Sequence, residues 1–160
     1  FVFRTSPGYI FSDAQPYTHA LITFADCPQI EAHIGVRVAG SSGVLHECDL
    51  AVILQPAADL CRISRVHPRR SDLLLAVECK YWTTDLKLDL GRSFVGLGVD
   101  LGADNCRFVV NTESDSIAKL LSKHRSLRWE QGLVPDATVA TGRLRSAFQE
   151  VFKNFRARYQ

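Results

Sequence analysis

The stretch Leu45-His46-Glu47-Cys48-Asp49-Leu50-Ala51-Val52-Ile53-Leu54 and its counterpart Leu73-Leu74-Leu75-Ala76-Val77-Glu78-Cys79-Lys80-Tyr81 decide how this chain folds. Each is an apolar run of strand character into which acids are set, and the second adds a lysine two places after its acid. The continuous apolar half of the second run predicts a strand buried on both faces. Charge inside such runs is costly unless something offsets it. Residues two apart on a strand share a face, so Glu78 is expected beside Lys80 and Glu47 beside Asp49. His46 and Cys48 are then expected on the other face, in the core. If the two runs pair in one sheet, Asp49, Glu78 and Lys80 converge. Two carboxylates and an ammonium at one place suit a divalent metal ion and a water to be activated.

The flanking sequence extends the same pattern. Ala32 to Ala39 alternates as a strand, Gly40-Ser41-Ser42-Gly43 is a turn, and Val44 to Leu54 completes a hairpin. Gln55 to Ser71 holds Pro56 and Pro68 and reads as a connection, with a short helical piece at Ala57 to Ser64. After the strand from Leu73 to Trp82, Thr84-Asp85 can cap a helix. Leu86, Leu90, Phe94 and Leu97 carry that helix to about Val99. Its Gly91, Gly96 and Gly98 permit close backbone approach. Cys106 to Val110 reads as a strand, and Ser114 or Asp115 caps a helix to about His124 with Ile117, Leu120 and Leu121 inward. Leu127 to Leu133 reads as a last strand. Thr141 to Ala157 is an amphipathic helix with Leu144, Phe148, Val151, Phe152 and Phe155 on its stripe. Upstream, Phe1 to Phe3, Tyr9 to Phe11 and Ala20 to Phe24 read as short strands. The expectation is one α/β domain over residues 1–160, with a core at about 32–128. A central mixed sheet of four or five core strands should carry helices on both faces, with the Asp49 strand beside the Glu78 strand.

This arrangement resembles the PD-(D/E)XK nuclease superfamily, whose restriction-endonuclease-like fold sets a lone Asp on one strand and an acid-x-Lys on the next. Here these are Asp49 and Glu78-Cys79-Lys80. The resemblance extends from about Ile34 to about Arg125, in the order strand, turn, strand, long connection, strand, helix, strand, helix. Cys48 stands where many members have the proline. The resemblance implies a Mg²⁺-dependent endonuclease acting on DNA in restriction, repair or defence, with Mn²⁺ able to substitute. It implies that Asp49, Glu78 and the backbone carbonyl of Cys79 hold the metal, and that Lys80 orients or deprotonates the water or stabilises developing charge. Mg²⁺ keeps several waters, so one or two carboxylates suffice as protein ligands. Glu47 is a candidate further ligand. Glu31 is a candidate for the acid many members carry upstream. Lys87 and Arg92 are candidates for a polar residue on the helix after acid-x-Lys. The alternative is a nuclease-like module that binds nucleic acid or protein without cutting, and a third reading is an ordinary Glu78–Lys80 ion pair in a structural domain.

Composition bounds these readings. The chain has 160 residues, 46% hydrophobic and 22% charged, which is ordinary for one soluble domain. No run approaches the roughly 18 apolar residues of a membrane span, so no membrane partner is expected. The net charge of +2 is less informative than its distribution. Arg62, Arg65, His67, Arg69 and Arg70 cluster in the connection between the two acid-bearing strands, and Arg69 and Arg70 are expected to follow the phosphates of bound DNA. Five cysteines with scattered spacing read as reduced thiols of a cytoplasmic protein. His46-x-Cys48 has no second half at zinc spacing. Absence of any Met, initiator included, leads us to expect a domain excised from a longer protein. A single cutting site makes one cut, so a homodimer or a larger assembly is expected for a double-strand break. No Ser/His/Asp arrangement or phosphate-binding glycine loop is legible.

Overall fold

Strands β4 (Leu45–Leu54) and β5 (Leu73–Lys80) pair antiparallel, with Leu50 opposite Val77, Ala51 opposite Ala76 and Val52 opposite Leu75. That is the adjacency the two acid-bearing runs demand. The structure, a computed structural model, describes residues 3–6, 20–24, 27–80, 87–102, 106–110, 114–124, 127–131, 145–146 and 149–157. Among them the elements run β1 (Phe3–Ser6), β2 (Ala20–Phe24), β3 (Ile30–Ala39), β4, α1 (Gln55–Ser64), β5, α2 (Leu88–Leu101), β6 (Cys106–Val110), α3 (Asp115–Ser122), β7 (Leu127–Gln131) and α4 (residues 149–157). The strands form one mixed sheet in sequence order. Its core is β3 to β7, and β2 and β1 extend it at the β3 side. Pairing is antiparallel from β1 to β5 and parallel from β5 to β7. The change of sense falls after β5 because α2 and α3 are crossovers, and a crossover returns the chain parallel to the strand it left.

Helices cover both faces. Ala58 and Cys61 of α1, Phe94 and Leu101 of α2 and Ile117 and Leu121 of α3 pack with Ala51, Ile53, Ala76 and Phe108 on one face. Val151, Phe152 and Phe155 of α4 pack with Ile30, Val52, Leu75, Val77 and Val109 on the other. The middle of β5 is therefore buried on both sides, as its continuous apolar run predicts. Pro56 sits in the first turn of α1, where its missing N–H costs nothing. The helix thus starts at Gln55, two residues before the expected Ala57. Helix α2 runs from Leu88 to Leu101 rather than from Thr84 to Val99, and Gly102 ends it at φ +94°. Gly91 allows α2 to approach α3, since a methyl group there would lie 3.1 Å from Ile117. Ser114 stands at the N-cap of α3, where its hydroxyl makes no capping bond to the backbone and instead lies 3.1 Å from Ser116 Oγ. The short strand expected at Tyr9 to Phe11 and the helix start expected at Thr141 lie outside the described residues.

One irregularity turns the β3–β4 hairpin. On β3, Ile30 and Ala32 belong to the α4 face, but Val36 and Val38 belong to the face of α1, α2 and α3. On β4, Cys48 lies on the α1–α3 face, whereas Val52 and Leu50 lie on the α4 side. Even-numbered residues of a regular strand share one face, so the alternation reverses in both strands. Register puts the reversal at Gly35 and Asp49, between the Ile34–Leu50 and Val36–Cys48 pairs. Gly35 has φ +64°, a backbone state that glycine adopts without a Cβ clash. The far half of the β3–β4 hairpin turns over the α1–α3 face. Its tip reaches the end of α2, where Ser41 N–H donates to the Asp100 carbonyl at 2.9 Å, and Ala39 N–H donates to Pro68 O at 2.8 Å.

Candidate functional site

Asp49 stands at the crest of this turn. The regular β4–β5 register stops at Leu50–Val77. One step beyond it, Asp49 Oδ2 accepts the backbone N–H of Cys79 at 2.6 Å. A side-chain carboxylate thus takes over where the ladder ends, and the short distance is that of a charge-assisted bond. Glu78 and Lys80 continue β5 past this point. Alternation from Ala76 places both on the α1–α3 face, and they form an ion pair in which Lys80 is a third exposed and Glu78 17%. The side of acid-x-Lys that the sequence predicts to be shared is shared.

The charges are unbalanced. Burial pushes the Glu78 carboxyl above its ordinary range, Lys80 pulls it back, and the like charges of Asp49 and Glu47 push it up again, for a net rise. Burial would draw the Lys80 ammonium down, but Glu78 and then Asp49 more than offset this, and its affinity for its proton is raised. The Cys79 thiol is pushed up to about 11 by burial, then by Asp49 and Glu78. Burial is the largest influence on all three groups, and the carboxylates add to it at Cys79 and override it at Lys80.

Glu47 is exposed on β4 but near enough to bear on Glu78. His46 and Cys48 separate in role. Cys48 is in the core as expected, while His46 instead binds Asp100 at 2.6 Å. Glu31 does not join the site. It pairs with Ile53 in register, four residues or about 13 Å of strand from Asp49. Its carboxylate is held by Arg62 at 2.8 and 3.1 Å and lies 3.2 Å from His33. Arg62, expected among the phosphate-following cations, is likewise bound to Glu31 and Asp59. Arg92 lies on the outer side of α2, 65% exposed and 3.0 Å from Asp89. Lys87 is exposed at the N-cap of the same helix. Arg69 and Arg70 are exposed; along β5 they precede Leu73, the end opposite Lys80, and Arg69 bridges to Ala39 near the tip of the β3–β4 hairpin. The connection joins β4 at Leu54 to β5 at Leu73, the ends away from Asp49 and Lys80, and reaches the hairpin only through Pro68 and Arg69 at Ala39. Trp82 and the side chain of Trp129 lie outside the described residues.

The sequence did not reveal the bond from Cys79 to Asp49, nor the reversal that aims it. The available signal was Gly35, an isolated glycine inside a strand pattern, which marks a bulge or bend. Among the described residues, no three His, Cys, Asp or Glu side chains are gathered as a metal cage. Two carboxylates and a carbonyl do not require such a cage. No family model matches the chain, and comparison with curated proteins and with solved structures finds no match.

Proposed function

We propose that the chain is a metal-dependent phosphodiesterase that cuts DNA, with Asp49, Glu78 and Lys80 as its working residues. One observation carries this reading. At the point where β4 and β5 part, burial raises the Glu78 carboxyl, Lys80 draws it back, and the like charges of Asp49 and Glu47 press against it. A divalent cation relieves that repulsion, and the donor set is all oxygen, which suits Mg²⁺ or Mn²⁺. Asp49, Glu78 and the Cys79 carbonyl would hold the ion. When bound, Mg²⁺ supplies charge neutralisation, a more acidic water and support for the leaving oxygen. The Cys79 N–H fixes one oxygen of Asp49 and leaves the other for a ligand. Lys80, its proton held by Glu78 and Asp49, donates hydrogen bonds and balances charge growing on the scissile phosphate.

Plasmid DNA should be cleaved in Mg²⁺ or Mn²⁺ and not in EDTA. Glu78→Ala and Lys80→Ala should each lower the rate by at least about a hundredfold. Cleavage untouched by both substitutions would refute the assignment. A second reading, a binding module that does not cut, draws support from the closed Glu78–Lys80 ion pair. Binding of DNA at low salt, with no cleavage in either metal, would favour it. Among the described residues no helix is long and apolar enough to cross a membrane.

A further inference from the structure

We propose that Asp100 is a positioning residue for Asp49, acting through the tip of the β3–β4 hairpin; the catalytic meaning of this role rests on the proposed nuclease function. Asp100 lies in the last turn of α2, where a carboxylate opposes the helix dipole and is out of place. The hairpin compensates it. Ser41 Oγ and the Ser42 N–H both donate to Oδ1 at 2.7 Å, Ser42 Oγ donates to Oδ2 at 2.6 Å, and His46 Nε2 lies 2.6 Å from Oδ2. The side chain is only 15% exposed, and the bonds from Ser42, His46 and Ser41 hold its carboxyl well below the usual range. The fit is close, since a methyl group on Gly40 would collide with this carboxylate.

The grip reaches the site by a short route. His46 is held by Asp100, and Leu50 is held by the ladder to Val77. Glu47, Cys48 and Asp49 alone lie between these two fixed points, and Cys48 is itself packed in the core. Three residues spanning a reversal of strand faces have little freedom once both ends are fixed. Gly35 supplies the bend on β3, and Asp100 keeps the bent half closed on α2. With the side-chain bonds released, the Ser41–Asp100 and Ala39–Pro68 backbone bonds and buried Val36 and Val38 still hold the hairpin, but the stretch from His46 to Asp49 loosens and the carboxylate meets the Cys79 N–H less often.

The Cys79 amide reports this directly, without metal or substrate. Amide hydrogen exchange should be followed by NMR in metal-free protein for wild type, Asp100→Asn, and a Ser41→Ala/Ser42→Ala double variant that keeps Asp100. Each variant should speed exchange at Cys79 by about tenfold or more, with the β6 amide of Val109 unchanged as a control for the global fold. Mn²⁺ affinity should fall by about tenfold in parallel, and Asp100→Glu should restore part of both. Faster exchange at Ser42 and Val44 with wild-type exchange at Cys79 would overturn the proposal, because the grip would then end at the hairpin. If Asp100→Asn also lost protection at Val109, the serine double variant would decide by the same two outcomes. Failure of the wild-type protein to bind Mn²⁺ would instead overturn the nuclease reading, and the Cys79 comparison would still decide the positioning role.

Discussion

Glu31 is 5% exposed and His33 fully buried, so this carboxylate must be held by partners or lose its charge. Burial alone would raise its pKa, but hydrogen bonds from His33 and then Arg62 lower it below the ordinary value. A carboxyl lowered by folding contributes stability above its unfolded pKa, about 4.3, and that stability is lost as pH falls through the folded value. Glu31→Gln should therefore cost about 2 kcal/mol at pH 7, since Arg62 keeps Asp59 as a partner. The difference from wild type should narrow as the pH drops below about 4, read as urea midpoints across pH. An equal difference at pH 7 and pH 3 would show that the charge contributes nothing. Beside Asp49, the thiol of Cys79, pushed up to about 11, should be roughly one part in a thousand thiolate at pH 8. Iodoacetamide at that pH should label it far more slowly than a free cysteine, as peptide mass spectrometry would show. Among the described residues no disulfide joins any of the five cysteines.

At the scale of elements, Gly35 is the residue on which the hairpin turns. Gly35→Ala places a Cβ at φ +64°, a state that costs an L-residue about 1–2 kcal/mol. Thermal unfolding should register that loss, while Gly43→Ala at the turn, where no atom lies within 4 Å of the added methyl, should cost only its own backbone strain. Equal effects of Gly35→Ala and Ala39→Gly would show that the bend is not strained toward glycine. The strands themselves were legible. β4, β5 and β6 begin or end within two residues of their expected limits because aliphatic period and turn residues mark them. The shared face of Glu78 and Lys80 came from the same period. What period cannot express is its own reversal. Glu47 and Asp49 were expected side by side, but Asp49 sits where the alternation breaks. Asp100 was hidden for a different reason. It is 54 residues from His46, and nothing local to either marks the other.

At the scale of the molecule, the face of the sheet opposite α1–α3 is closed by α4. Phe152 meets Phe24 of β2 edge to face, with ring centroids 4.9 Å apart, and Glu150 Oε2 lies 3.3 Å from the Arg107 guanidinium of β6. Phe152→Ala should cost about 3 kcal/mol, seen as a lower denaturant midpoint with unchanged secondary structure by circular dichroism. A loss under about 1 kcal/mol would mean that α4 is a loose cover. The amphipathic stripe of Val151, Phe152 and Phe155 made this helix legible, but which face it covers depends on the path of the whole chain. The change from antiparallel to parallel pairing at β5 has a consequence for time as well as space. The β3–β4 hairpin closes through a short turn, whereas β5 waits for an 18-residue connection on one side and the α2 crossover on the other, and contacts distant in sequence form slowly. Pulse-labelled exchange during refolding should protect Val36 and Val52 before Cys79. A newly made chain would then display its hairpin early, and Asp49 would meet the Cys79 amide only when that last seam closes.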